Sequence, residues 1–427
     1  MAWTRAYRPL FAVAVAMLVV SATPLPGSAN AGDLDTSFSD DGVTRADFSA
    51  DFDAAYGVAL QSDGKIVVVG QGGHNPRFAL ARFGTEGALD HEFGTGGKVQ
   101  TDFTTKREWA ADVAIQTDGK IVAAGLAAGD QEKFAVARYL QDGSADASFS
   151  GDGRLKTGFG SVVDAAAAAV ALQTDGKIVV AGTANDEFAL ARYNQDGTLD
   201  HAFGGDGKVV TGGSMGGATD VALDSNGSIV AVGSSRGSPS QFAVARYLPD
   251  GSLDRVFGNN GIVTTPFDDA DARAAALAIQ PDGDIVVAGA RGVDQDPDFA
   301  LVRYQPDGHL DLTFGIRGRV ATDFGGSGQE WADAVAIQAD GSIVAAGTAI
   351  PEIGPCGIGQ QFGVARYLPD GAPDRTFGTD GMLTTEIDGG SDNAHDIMVQ
   401  PDGKLVVAGL SDGCGNGKFV VVRYLGS

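Results

Sequence analysis

The chain has 427 residues, 43% of them hydrophobic, with 63 glycines, 5 methionines and a formal net charge of −25. That is enough apolar material for one large domain or two to three ordinary ones. An acidic surface of this size repels phosphate backbones and anionic lipid headgroups, which excludes nucleic-acid and anionic-membrane binding and leaves cationic partners or divalent ions.

Residues 1–31, "MAWTRAYRPLFAVAVAMLVVSATPLPGSANA", carry Arg5 and Arg8, then an apolar run, then the small-residue site Ala29-Asn30-Ala31. This is the pattern of a secretory signal peptide cut after Ala31. The run is short of the roughly 20 apolar residues a bilayer requires, and no later stretch is long enough to span one. Cleavage removes two arginines and no acid, taking the net charge from −25 to −27. Two cysteines, Cys356 and Cys414, suit an oxidising compartment.

Residues 32–427 hold seven copies of one phrase: "SDGKIVVVG" from Ser62, "TDGKIVAAG" from Thr117, "TDGKIVVAG" from Thr174, then copies from Ser225, Pro281, Ala339 and Pro401. The intervals run from 51 to 62 residues. A period this long, carried by β-branched residues with no helical spacing, signals a β-repeat array. Each unit reads as four strands. In the second they are "DVAIQ" ending at Gln116, "KIVAAG" after Asp118-Gly119, "FAVARY" from Phe134 and "GRLKTGF" from Gly153. Asp-Gly between apolar runs is a hairpin turn, because glycine accepts the positive φ such a turn needs.

The last unit stops after "FVVVRYLGS" without a fourth strand, and the segment after the signal peptide, "GDLDTSFSDDGVTRADF", is that missing piece. Tyr424 to Ser427 align with Tyr139 to Asp142, and Gly32 follows in the place of Gly143. The fold expected is therefore all-β: a closed seven-bladed β-propeller of four-stranded antiparallel blades, its N-terminal strand completing the C-terminal blade and removing the open edges.

The two faces differ. From the third-strand arginine to the phenylalanine before the fourth strand the interval is 11 residues from Arg82–Phe93 through Arg366–Phe377. From the glycine closing the second strand to the phenylalanine opening the third, it ranges from 6 (Gly182–Phe188) to 15 (Gly347–Phe362). Variable loops on a rigid frame are where binding resides.

These units, as in residues 173–209, resemble the delta-60 repeat proteins of bacteria over essentially the whole of residues 32–427. The resemblance implies an exported or surface repeat protein with a propeller fold, and it brings no catalytic residues.

Candidate sites follow from the repeat. Arg82, Arg138, Arg192, Arg246, Arg303, Arg366 and Arg423 each have an aspartate eight residues on, such as Asp90 or Asp254, with Asp35 serving the split blade. Equal numbers and fixed spacing favour a structural pair in every blade over a ring of anion-binding arginines. The innermost strands carry an alanine column (Ala55, Ala110, Ala167, Ala218, Ala274, Ala332, Ala394). Two residues on, the next column holds Asp112, Asp220 and Asp396, which could line the channel and hold Ca²⁺ or bond neighbouring backbone N–H groups. Cys356 and Cys414 fall in the same variable loop of consecutive blades, which predicts a disulfide. Trp109 and Trp331 share one repeat position, as an aromatic wedge or a sugar platform. The nucleophile-like "GGSMG" and "GSSRG" lack a following helix, and His91, His201 and His309 read as surface variation.

The expected function is that of a non-catalytic, monomeric scaffold, secreted and extracellular or held at the cell surface, presenting its loops to a cell-envelope, polysaccharide or protein partner. The other reading is a secreted hydrolase or lyase, Ca²⁺-dependent, with Asp112, Asp220, Asp396 and His395 at the channel mouth.

Overall fold

The computed structural model describes residues 30–48, 52–160, 164–268, 270–292, 297–325, 328–351, 359–413 and 415–426. Cys356 and Cys414, and with them the expected disulfide, lie outside the described residues, as do residues 1–29.

Seven four-stranded antiparallel sheets are arranged in chain order. Blade 1 covers residues 54–101, blade 2 108–157, blade 3 165–211, blade 4 215–265, blade 5 272–322 and blade 6 331–385. Blade 7 joins residues 392–424 to Val43–Ala46. Closure follows the expected register: Val43 faces Val422, Ala46 faces Phe419, and Leu34 bridges Tyr424 as Ala145 bridges Tyr139.

The apolar phrase is explained by where the core sits. The buried hydrophobics form seven clusters, each shared by two neighbouring blades. In blade 2, Val122 and Ala124 pack toward blade 3 while Ile121 and Ala123 pack toward blade 1. A strand buried on both faces reads as a continuous apolar run rather than an alternating one.

The third-strand arginines, buried in five blades and half-buried as Arg246 and Arg303, make the expected forks: Nε of each lies 2.7–2.9 Å from its aspartate, Asp35 included. They also do something the sequence did not suggest. Nη1 of each arginine donates to a backbone carbonyl of the following blade's turn, in order Gln141, Gln195, Pro249, Pro306, Pro369, Gly426 and Thr85. The guanidinium lies 4.4–4.8 Å from the centre of a phenylalanine ring in every blade. Seven such bonds form a closed circuit on the fixed-length face.

A second circuit between the blades is broken once. Tyrosine hydroxyls at the ends of third strands meet threonine hydroxyls of the preceding blade at 2.6–2.8 Å, from Tyr139–Thr101 through Tyr424–Thr385. At the junction of blades 7 and 1 the two positions are Ala46 and Phe83, which share one apolar cluster. Both hydroxyls are missing together, as expected if either alone would be buried without a partner. Phe83→Tyr and Ala46→Thr are each expected to destabilise by about 1 kcal/mol, and the pair together to recover roughly that amount. Urea melts of the three variants measure the coupling; strictly additive losses would refute it.

Candidate functional site

The innermost strands are longer than the repeat suggests, beginning at Glu108 in blade 2 and Trp331 in blade 6. Each contains a β-bulge. In blade 1, Ala55 pairs with Gly70 and Gly57 with Val69, so Tyr56 has no partner. The same skip leaves Ala111, Ala168, Thr219, Ala275, Asp333 and His395 unpaired in blades 2 to 7. A bulge re-aims a side chain, and all seven of these residues line one cavity of about 570 Å³ at the mouth of the central channel.

The glycine that ends the repeated phrase makes room for the bulge. A Cβ on Gly70, Gly125, Gly182, Gly233, Gly289, Gly347 or Gly409 would stand 1.8–2.2 Å from an inner-strand carbonyl oxygen. An isolated glycine in a strand is the signal that could have revealed the bulge.

The cavity opens on the variable-loop face: Thr183, Ser234, Gly289 and Ala290, from second-strand ends where those loops begin, are in its wall. Its lining is not seven-fold. Blades 2, 3 and 5 present alanine at the bulge, whereas the contiguous blades 6, 7 and 1 present Asp333, His395 and Tyr56. The Tyr56 and His395 rings are 5.2 Å apart and tilted, and His395 Nδ1 is 4.0 Å from Asp333 Oδ2. Burial pushes Asp333 up to about 7 and pulls His395 down to about 4. His395 Nε2 is buried without a hydrogen-bond partner. One residue before the alanine column, Trp109, Arg273 and Trp331 complete the wall. Trp109 carries the Arg107 guanidinium 5.4 Å from its ring centre. The shared tryptophan position, on the first strand, is thus part of the cavity wall.

Asp112, Asp220 and Asp396 sit two residues past the alanine column as expected, and each spends both oxygens on backbone. Asp112 accepts from Val113 N–H and Val170 N–H, Asp220 from Val221 and Leu277, and Asp396 from Ile397 and Val58, all at 2.7–2.8 Å. Each therefore stitches its inner strand to the next blade's. Burial pushes all three up, Asp112 to about 6 and Asp220 to about 7, with like charge between them adding to the rise of Asp220 and Asp396. The acids that come within one ion's reach among the described residues are others, Asp298, Asp323 and Glu330. Asp298 is paired with Arg291 at 2.8 Å and Glu330 accepts from Phe324 N–H, so local structure already uses them.

The remaining sequence signals carry no site. His91, His201 and His309 are exposed on the fixed-length face. Ser214 lies in a bend, and Ser235 ends the second strand of blade 4 with its hydroxyl accepting from Gln241 N–H. No helix among the described residues is long and apolar enough to cross a membrane.

Among solved structures, virginiamycin B lyase from Staphylococcus aureus, seen as a catalytically inactive histidine-to-alanine variant with quinupristin, superimposes with a TM-score of 0.52 at 10% identity, covering 89% of this chain and 98% of that one. The WD40 propeller domain of Doa1 does so with a TM-score of 0.50 at 11% identity, over 90% and 97%. At such identities the likeness shows the fold alone. No curated protein matches the chain. Residues 61–93, 116–149, 173–203, 225–257, 280–314, 338–377 and 400–426, more than half of the sequence and one segment per blade, match the family described as "Domain of unknown function (DUF5122) beta-propeller", and the chain belongs to that family.

Proposed function

We propose that this is an exported, non-catalytic propeller of the delta-60 repeat type, secreted or held at the cell surface, that binds its partner on the variable-loop face with the channel-mouth cavity at the centre of the site. The observation that carries the reading is the broken symmetry of the bulge column. The fold accepts alanine at this position in three blades, so packing does not demand the aspartate, histidine and tyrosine of blades 6, 7 and 1. Desolvating polar groups without partners costs stability, and such groups mark sites where a ligand supplies what is missing.

A second reading, a hydrolase or lyase, draws on the approach of His395 to Asp333, a base with a carboxylate beside its other nitrogen. One experiment separates the two. Immobilised peptides and oligosaccharides are probed with the chain, with Trp331→Ala and with Glu92→Gln on the opposite face, and bound material is recovered for mass spectrometry. Binding lost only in Trp331→Ala, with ligand recovered intact, is the expected result. Cleaved ligand would favour catalysis, and binding indifferent to Trp331 would overturn the cavity reading.

A further inference from the structure

We infer that the channel-mouth cavity takes a short peptide with free ends, its carboxylate on Arg273, its ammonium group at Asp333 and an apolar side chain among Trp109, Trp331 and Tyr56. This rests on the cavity reading above and goes beyond it to the class of ligand.

Two ionisable groups of opposite sign stand in this cavity without neutralising each other. Arg273, on the inner strand of blade 5, is exposed into the cavity, and its guanidinium makes no hydrogen bond or ion pair with any described residue. Asp333, on the neighbouring inner strand of blade 6, lines the same cavity, and among the described residues its only charged or chargeable contact is His395 at 4.0 Å. The third-strand arginines, by contrast, each lie within 2.9 Å of a carboxylate. An arginine and an aspartate left apart on adjacent blades match a ligand that brings both signs on separate groups. A planar guanidinium is the side chain suited to forked recognition of a carboxylate. A carboxyl raised by burial regains its charge most readily when a cation arrives beside it.

The rest of the wall fits the middle of such a ligand. Trp109, Trp331 and Tyr56 offer aromatic faces, which hold apolar side chains and, near Asp333, an ammonium group. Thr183 and Ser234 supply hydroxyls that can meet peptide N–H and C=O groups. The volume of about 570 Å³ lies within the range of small-molecule sites. Neutral sugars would use the aromatic faces but leave both charges unmatched; fully anionic ligands would meet Asp333, and fully cationic ones Arg273.

The sequence also supplies the probe. The chain has three tryptophans, Trp3, Trp109 and Trp331, and the latter two both line the cavity. The full chain carrying Trp3→Phe therefore reports by fluorescence from the cavity alone. It is titrated with the tripeptide Ala-Phe-Ala with free ends, with that peptide N-acetylated, with it C-amidated, and with a neutral trisaccharide, maltotriose. The expected result is a saturable spectral change with the free peptide, weakened roughly tenfold or more by blocking either end. In Asp333→Asn acetylation should cost nothing further, and in Arg273→Gln amidation should cost nothing further. Equal affinity for blocked and free peptides overturns the inference. A change with maltotriose alone overturns it while leaving the cavity as a binding site, and no saturable change with any probe overturns both.

Discussion

Gly347→Ala is expected to destabilise the ring by more than about 3 kcal/mol, at the upper end of what overpacking a core costs. The added Cβ would stand 1.8 Å from the Trp331 carbonyl oxygen and 2.9 Å from the Ala332 Cα, both backbone atoms of the inner strand. No rotamer change relieves such a contact, so the bulge itself must move. Gly158→Ala is the control, because its Cβ would meet only the Lys133 Cε at 3.7 Å. It should stay within about 0.5 kcal/mol of the parent. Urea denaturation of both variants checks the claim, and a Gly347→Ala protein of parental stability would mean that the bulge is not held by this glycine. The same substitution ties the repeat to the site. The bulge in blade 6 is what aims Asp333 into the cavity, so a ring that survives the change is expected to show altered Trp331 fluorescence as well.

The architecture was legible because it is written seven times. Period, turn chemistry and the complementary half-units at the two ends led directly to blade number and closure, and the arginine–aspartate spacing to the pair in every blade. The site was less legible because the bulge hides it. Alternation with a period of two points residues n and n+2 of the inner strand at the channel, which made Asp112, Asp220 and Asp396 look like its lining. The extra residue between them, Tyr56 in blade 1 or Asp333 in blade 6, is the one that lines the cavity. Its only mark in the sequence lies on another strand, as the glycine across the hairpin. The arginine circuit escaped for a different reason. Its acceptors are backbone carbonyls of Gln141, Gln195, Pro249, Pro306, Pro369, Gly426 and Thr85, and a carbonyl imposes no residue type by which the contact could be read.

That circuit makes Arg246→Ala the other substitution of large expected effect, about 3 kcal/mol, the lower end of the range for breaking a buried pair, because Arg246 is half-buried and Asp254 buried. Three contacts vanish together. Arg246 forks onto Asp254 at 2.8–2.9 Å, donates to the Pro306 carbonyl of blade 5, and lies 4.6 Å from the Phe257 ring centre. Asp254, only 8% exposed, would keep the Val256 N–H and lose its countercharge. Arg246→Lys should recover part of the loss, since an ammonium group can answer Asp254 but cannot fork onto it and reach Pro306 at once. Removing the stranded carboxylate as well, in Arg246→Ala with Asp254→Ala, should cost less than the sum of the two single changes. Thermal melts and urea titrations of the four proteins measure this cycle, and native stability in Arg246→Ala would dismiss the structural role. Because Arg246 lies on the fixed-length face, the Trp109 and Trp331 fluorescence of the folded variant, and whatever ligand it reports, should be those of the parent. A shift in that signal at full folding would instead mean that the arginine ring and the cavity are coupled through the blades.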